Sequence, residues 1–223
     1  YSSAGRVAVI TGGSRGLGLE LARALAREGG RVVLLARAVE GLERARRSLA
    51  AEGRRAEIRR CDVCSEYEVK KTVDEIVSRF GRIDVLINNA GIIQIGPLRD
   101  TRESAFDEAM QVNFRGALRM IYGVLPHMRR AGEGRIANIA SLGGRIAVPH
   151  MLAYSASKFA LVGLSEGLRA ELAPEGILVT TVCPAEMRTG FLMPFFLAYF
   201  IEQSTSAAAP SLVAQISKRR RGA

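Results

Sequence analysis

Two histidines and three cysteines are all that 223 residues provide. Cys61 and Cys64 form a C-x-x-C, but no second pair and no nearby histidine completes a tetrahedral site. The expectation is no metal, with packing for the thiols and a reducing, cytoplasmic setting. Aromatic residues are 6% and do not alternate with basic stripes, so nucleic acid is not the expected partner despite a net charge of +10. The arginines are scattered through helices and turns, and only "KRRRG" (218–222) is a cluster. A positive field of this kind still attracts small anions. Long apolar runs are also missing. The longest, "FLMPFFLAYFI" (191–201), has eleven residues, and a membrane span needs about twenty. From Tyr1 the chain reaches a strand pattern by about Arg6, with no signal-peptide pattern.

What is present is an ordinary globular composition, 48% hydrophobic and 24% charged, of a length that suits one domain over 1–223. Short β-branched runs alternate with helical patterns. Strands are expected at 6–10, 31–36, 56–63, 134–141 and 176–184, with a strand followed by a turn over 83–91 and helices at 16–30, 39–53, 65–81 and 154–176. A long helical region with an interruption covers 101–131. Ser65 and Glu68 read as a capping box for the third helix. Six strands alternating with helices imply a single α/β domain, a doubly wound parallel sheet with helices on both faces. Ligands of such sheets bind beyond the C-terminal strand edges.

The first strand runs into "TGGSRGLG". Gly12, Gly16 and Gly18, with Ser14, Arg15 and Leu17 between them, open a helix there. Such a turn lets backbone amides approach a pyrophosphate at a helix N-terminus. The second strand ends in "LLARAVE", where an acid would hold a free adenosine ribose. Ala36 and Arg37 stand there instead, and Arg15 lies in the glycine loop. Two guanidiniums suit a 2′-phosphate, each charged hydrogen bond contributing about 1.5–3 kcal/mol. The expected cofactor is NADP(H) rather than NAD(H).

"TGGSRGLG", "NNAG" (88–91), a serine, and "YSASK" (154–158) together resemble the short-chain dehydrogenase/reductase family, from Arg6 to about Thr189. The resemblance implies a Rossmann-like fold and a catalytic set of Asn113, Ser141, Tyr154 and Lys158. It implies further cofactor contacts from Asp62 and Val63 beside the adenine, and from Asn89, Ala90 and Gly91 near the ribose. "PAEMRT" (184–189) is similar to the loop over the nicotinamide carboxamide, which adds Pro184, Met187 and Thr189. Tyr154 and Lys158 are implied to touch the cofactor as well. Two departures stand out: Ala185 replaces the family's usual glycine, and the usual seventh strand has no counterpart before "KRRRGA".

The chemistry explains the residue types. Carbonyl reduction needs a hydride and a proton. A tyrosine can give the proton, and an ammonium nearby lowers a phenol's pKa by about 1–3 units. Tyr154 and Lys158 are four apart, on one face of a helix. Ser141, at the end of the fifth strand, can hold the carbonyl oxygen. Asn113 is expected to interrupt its helix and, by the resemblance, to hold a water between Lys158 and solvent.

Candidate substrate contacts are Ile93, Gln94, Gly143, Val148, His150, Glu186 and Met187, mostly apolar. The apolar stretch near 191–210 reads either as a substrate lid or as packing or oligomer surface. His150 reads as a substrate contact or a surface residue. The resulting expectation is an NADP(H)-dependent oxidoreductase for a hydrophobic ketone or secondary alcohol. The alternatives are a 3-oxoacyl thioester reductase, a non-catalytic NADP(H) sensor and, from charge alone, a nucleic-acid binder. The resemblance also implies a homodimer or homotetramer built on the helices at 105–131 and 154–173.

Overall fold

In β1 (Val7–Thr11) every residue is buried, as a strand covered on both faces requires. A computed structural model of the chain describes residues 3–184. Glu186, Met187, Thr189 and the stretch near 191–210 lie outside the described residues. The other strands are β2 (Arg31–Ala36), β3 (Ala56–Arg60), β4 (Val85–Asn88), β5 (Gly134–Ile139) and β6 (Ile177–Val182). They form one parallel sheet in the order β3-β2-β1-β4-β5-β6.

Strand residues alternate between two cores, because successive side chains point to opposite faces. Val7, Val9, Val33, Leu86 and Ile136 pack on α3 (Glu66–Phe80) and α5 (Gly116–Ala131), through Val73, Ile76, Met120 and Val124. Ala8, Ile10, Leu34 and Ile87 pack on α1 (Gly16–Arg27) and α2 (Val39–Ala51), through Leu21, Leu25, Leu42 and Leu49. Helices therefore cover both faces, as expected. The last helix, α6 (Leu152–Leu172), starts two residues earlier than its pattern suggested and passes into a short 3-10 turn at 173–175.

From β1 the strand order runs outward through β2 and β3 on one side, and from β4 through β5 and β6 on the other. The reversal leaves a crevice beyond the C-terminal ends of β1 and β4, where the loops part. "TGGSRGLG" leaves β1 there and "NNAG" leaves β4.

Two local readings change. Ser65 does cap α3, accepting from the Glu68 amide at 3.2 Å. The reciprocal bond of a capping box is not the one Glu68 makes. Its carboxylate reaches back to the Asp62 amide at 3.0 Å and the Arg60 guanidinium at 2.9 Å. These bonds hold the Glu68 carboxyl below its ordinary pKa, the Asp62 amide contributing most. They also end β3 at Arg60 and turn the chain into the crevice. The interrupted helix resolves into α4 (Glu103–Ala109), a π-helical segment over 110–115, and α5. Asn113 sits in the π segment, as the expected interruption required.

Candidate active site

The floor of the crevice is tied by two side chains, Thr11 at the end of β1 and Asn89 just past the end of β4. Asn89 donates from Nδ2 to the carbonyls of Thr11 at 3.0 Å and Gly12 at 3.2 Å. Thr11 Oγ1 accepts from the amides of Asn89 and Ala90, both at 3.0 Å. Gly12 has φ +64°, and a Cβ there would come within 2.9 Å of Asn89 Nδ2. A Cβ on Gly18 would meet the Gly12 carbonyl at 2.5 Å and Asn89 Nδ2 at 2.6 Å. The glycines are thus required by close packing of loop on loop, which leaves the backbone bare on the other side.

Above this floor lies an open cavity of about 520 Å³. It gathers Gly12, Ser14, Arg15, Gly16, Arg37, Asp62, Val63, Asn89, Ala90 and Gly91 from the expected cofactor contacts. Leu17 and Gly18 do not line it: Leu17 packs against the α1–α2 core, and Gly18 lies beneath the loop. The residues fit a dinucleotide: bare loop backbone at a helix N-terminus for a pyrophosphate, and guanidiniums for a further phosphate. Sequence reasoning missed Ala38, Gly41, Arg44, Cys61, Ile92 and Val112, which also line the cavity. Cys61 entered the reading only through its C-x-x-C. Burial pushes the thiols of both Cys61 and Cys64 up from the ordinary range.

The second cluster centres on Gly143, which is buried against the ring of Tyr154. A Cβ there would lie 3.3 Å from Tyr154 Cε1 and 3.5 Å from Ser141 Oγ. The tyrosine ring and the serine hydroxyl thus border the same small space. Ser141 stands two residues past the end of β5 and caps a short turn, its Oγ accepting from the Gly143 amide at 3.0 Å. Among the described residues the hydroxyl proton has no acceptor. Lys158 runs beneath the tyrosine, with Nζ 5.7 Å from the ring centroid and donating to the Ile139 carbonyl at 2.7 Å. Only 5% of Lys158 is exposed, and this burial lowers its pKa to about 8 against a smaller opposing pull from Cys183.

Asn113 closes the arrangement from the π segment. Its Nδ2 donates to the Ile92 carbonyl and to Ser157 Oγ, both at 2.9 Å, while Oδ1 accepts from the Ile92 amide at 2.8 Å. Ser157 in turn donates to the Tyr154 carbonyl at 2.7 Å. The chain Ile92–Asn113–Ser157–Tyr154 couples the loop after β4 to the start of α6. Ser157 was legible only as a letter inside "YSASK". Asn113 Oδ1 and Lys158 Nζ both lie close to Gly91, 3.1 and 3.6 Å from where its Cβ would be.

The candidate substrate residues divide. Gly143 borders Tyr154 directly, and Ile93 is exposed at 53% beside the crevice. Gln94 is turned onto α4, donating to Glu108 at 3.0 Å. His150 is exposed and has φ +64°, a left-handed conformation that costs a non-glycine residue about 1–3 kcal/mol. Its carbonyl accepts from the Gly96 amide at 2.8 Å, which joins the loops after β4 and β5. Pro184 accepts the Leu142 amide at 2.8 Å, holding the end of β6 against the Ser141 turn.

The depressed lysine carries a stability signature. Folded, Lys158 titrates near 8; unfolded, near 10.5. Between these values the unfolded chain keeps a proton that the folded chain has released, so stability rises with pH across the window. Set against Lys158→Met, the wild-type protein should gain about 3 kcal/mol from pH 8 to 10.5. Urea unfolding of both proteins across that range reads the difference, and parallel curves would contradict the assignment.

The sequence matches the short chain dehydrogenase family over residues 6–198. It is 42% identical over 185 residues to a Streptomyces coelicolor protein provisionally named a ketoacyl reductase, spanning 82% of this chain and 71% of that one. Among solved structures, a metagenomic short-chain oxidoreductase in complex with NADP superposes with a TM-score of 0.84 at 34% identity, covering 92% of this chain and 95% of the other. An NAD+-bound xylitol dehydrogenase superposes with a TM-score of 0.81 at 36% identity, covering 88% and 76%.

Proposed function

This chain belongs to the short-chain dehydrogenase family of oxidoreductases, and from that premise we propose that it is an NADP(H)-dependent enzyme reducing a carbonyl or oxidising a secondary alcohol. The observation that carries the reading is the meeting of Tyr154 and Ser141 at Gly143, with Lys158 beneath the tyrosine ring, next to a glycine-floored cavity lined by arginines.

When bound, the reduced nicotinamide supplies the hydride taken up by the carbonyl carbon. The protein's own work is on the oxygen. The Tyr154 hydroxyl donates its proton to that oxygen as charge develops on it. The free Ser141 proton forms a second hydrogen bond to the same oxygen and stabilises the growing charge. Below about pH 8 Lys158 is an ammonium, and it favours the tyrosinate left behind. Asn113 and Ser157 hold the start of α6, and with it Tyr154, against the loop after β4. In the alcohol direction each proton moves the other way.

The NADP(H) preference rests on Arg37 and Arg15. One solved relative holds NADP and another NAD+, so the side chains after β2 decide. Asp62 is the one acid lining the cavity among the described residues, and its Oδ1 accepts from the Cys64 amide at 2.9 Å. Ile92 and Val112 line the cavity, and the exposed side chains Ile93 and Leu142 follow Ile92 and Ser141 in the chain, which favours a hydrophobic ketone or alcohol. The likeness to the Streptomyces coelicolor protein supports a second reading, a 3-oxoacyl thioester reductase.

The test is NADPH oxidation with ketones, aldehydes, diketones and 3-oxoacyl thioesters, repeated with NADH and with Arg37→Asp. Turnover with NADPH is expected, and the substrate giving the highest kcat/KM separates the two substrate readings. Arg37→Asp should lower the NADPH-to-NADH ratio at least tenfold, the loss of one charged hydrogen bond. An unchanged ratio would remove the NADP(H) assignment. NADPH binding without turnover on any carbonyl would point to a sensor.

A further inference from the structure

Three guanidiniums, not two, border the cavity: Arg15, Arg37 and Arg44. Several other arginines sit in ion pairs, for example Arg23 with Glu52, Arg79 with Glu57 and Arg129 with Glu175. Arg15, Arg37 and Arg44 form no ion pair among the described residues, although Glu40 and Glu43 stand on the same helix as Arg44, Glu43 pairing with Arg46. Three unpaired cations bordering one concavity repel each other until an anion arrives.

Arg44 reaches the cavity because α2 packs close against the glycine loop. The contact is Gly41, three residues before Arg44 and so on the same helical face. A Cβ on Gly41 would lie 3.3 Å from Ser14 Cβ, 3.5 Å from Ser14 Oγ and 3.8 Å from an Arg44 terminal nitrogen. The missing side chain brings the Ser14 hydroxyl and the Arg44 guanidinium to one spot. The first turn of α2 adds to it: Ala38 lines the cavity and provides no side-chain cap, so among the described residues no N-cap side chain takes the turn's amides.

We infer that Arg44 is a specificity-determining residue, gripping the adenosine 2′-phosphate from α2 together with Ser14 and the first turn of that helix. The inference rests on the NADP(H) reading and extends it to a residue that neither the glycine loop nor the end of β2 contains. A phosphate near its second ionisation carries up to two charges, so a third guanidinium has charge to neutralise. Arg37 approaches from the strand end and Arg44 from the helix, which surrounds the phosphate rather than touching it on one side.

The experiment is equilibrium binding, read by fluorescence titration, with NADPH, NADH, 2′,5′-ADP and 5′-AMP on the wild-type protein, Arg44→Ala, Arg44→Lys and Arg37→Ala. For Arg44→Ala the Kd of NADPH and of 2′,5′-ADP should each rise about 10- to 100-fold, the loss of one charge-assisted hydrogen bond. NADH and 5′-AMP should stay within about twofold, and Arg44→Lys should recover part of the loss. Equal weakening of NADPH and NADH would make Arg44 a general adenosine contact and overturn the inference. So would loss of NADPH affinity in Arg37→Ala with none in Arg44→Ala, a result that leaves the NADP(H) reading standing. A wild-type protein that binds NADH as tightly as NADPH would overturn both.

Discussion

Tyr154→Phe is expected to lower turnover by about 10²- to 10⁴-fold, the range for a positioned general acid, with NADPH affinity unchanged within about twofold. The substitution removes one oxygen and keeps the ring. The contacts of that ring with Gly143 and with Lys158 belong to its carbon framework and persist. The Tyr154 carbonyl still accepts from Ser157, so the first turns of α6 keep their place. What disappears is the hydroxyl proposed as the proton donor. Steady-state rates with the best carbonyl of the panel, set beside a fluorescence titration with NADPH, separate chemistry from binding. Turnover within tenfold of wild type would remove Tyr154 as the acid, and a parallel loss of NADPH affinity would make its role one of cofactor placement.

Gly18→Ala should weaken NADPH binding more than 100-fold and destabilise the fold by about 1–3 kcal/mol, the typical cost of overpacking. The added methyl would arrive 2.5 Å from the Gly12 carbonyl and 2.6 Å from Asn89 Nδ2. Those two atoms are bonded to each other at 3.2 Å. The methyl therefore wedges between donor and acceptor, and one of them is backbone. Either the loop lifts from the end of β4, or Asn89 lets go of both Thr11 and Gly12. Both outcomes disturb the amides that would meet the pyrophosphate. NADPH titration and urea unfolding read the two effects separately, and an unchanged Kd would show that the loop adapts without cost.

Much of this was legible along the chain. The run "RVAVI" marks β1, which begins one residue later at Val7 and is buried on both faces, and "TGGSRGLG" holds the turn that follows it. The interruption near Asn113 was readable as well, although its form, a π segment, was not. Boundaries were less secure where a distant side chain set them. β3 stops at Arg60 rather than 63 because Glu68 holds the Asp62 amide. Ser65 and Glu68 are spaced for a capping box, yet the carboxylate finds Arg60 and Asp62, partners that three-residue spacing cannot reveal.

The candidate site divides the same way. Ser141, Tyr154 and Lys158 can be picked out because a proton donor, its activator and an oxyanion partner call for those residue types. Arg44 could not, since an arginine on an amphipathic helix reads as solvated surface. Only the approach of α2 to the glycine loop through Gly41 brings it beside Ser14. Ser157 and Thr11 were hidden for a similar reason, because each acts through a bond to a residue distant in sequence.

By itself, then, the sequence determined the alternation of strand and helix, and with it a parallel sheet with a crevice at the reversal, because periodicity and glycine placement are local properties. It also determined which functional groups were on hand. The tertiary structure decided which of them meet and in what state of charge. Lys158 carries the same ammonium in any unfolded chain, and only burial beneath Tyr154 brings its pKa to about 8, because taking a cation out of water costs free energy that no neighbour in sequence can return.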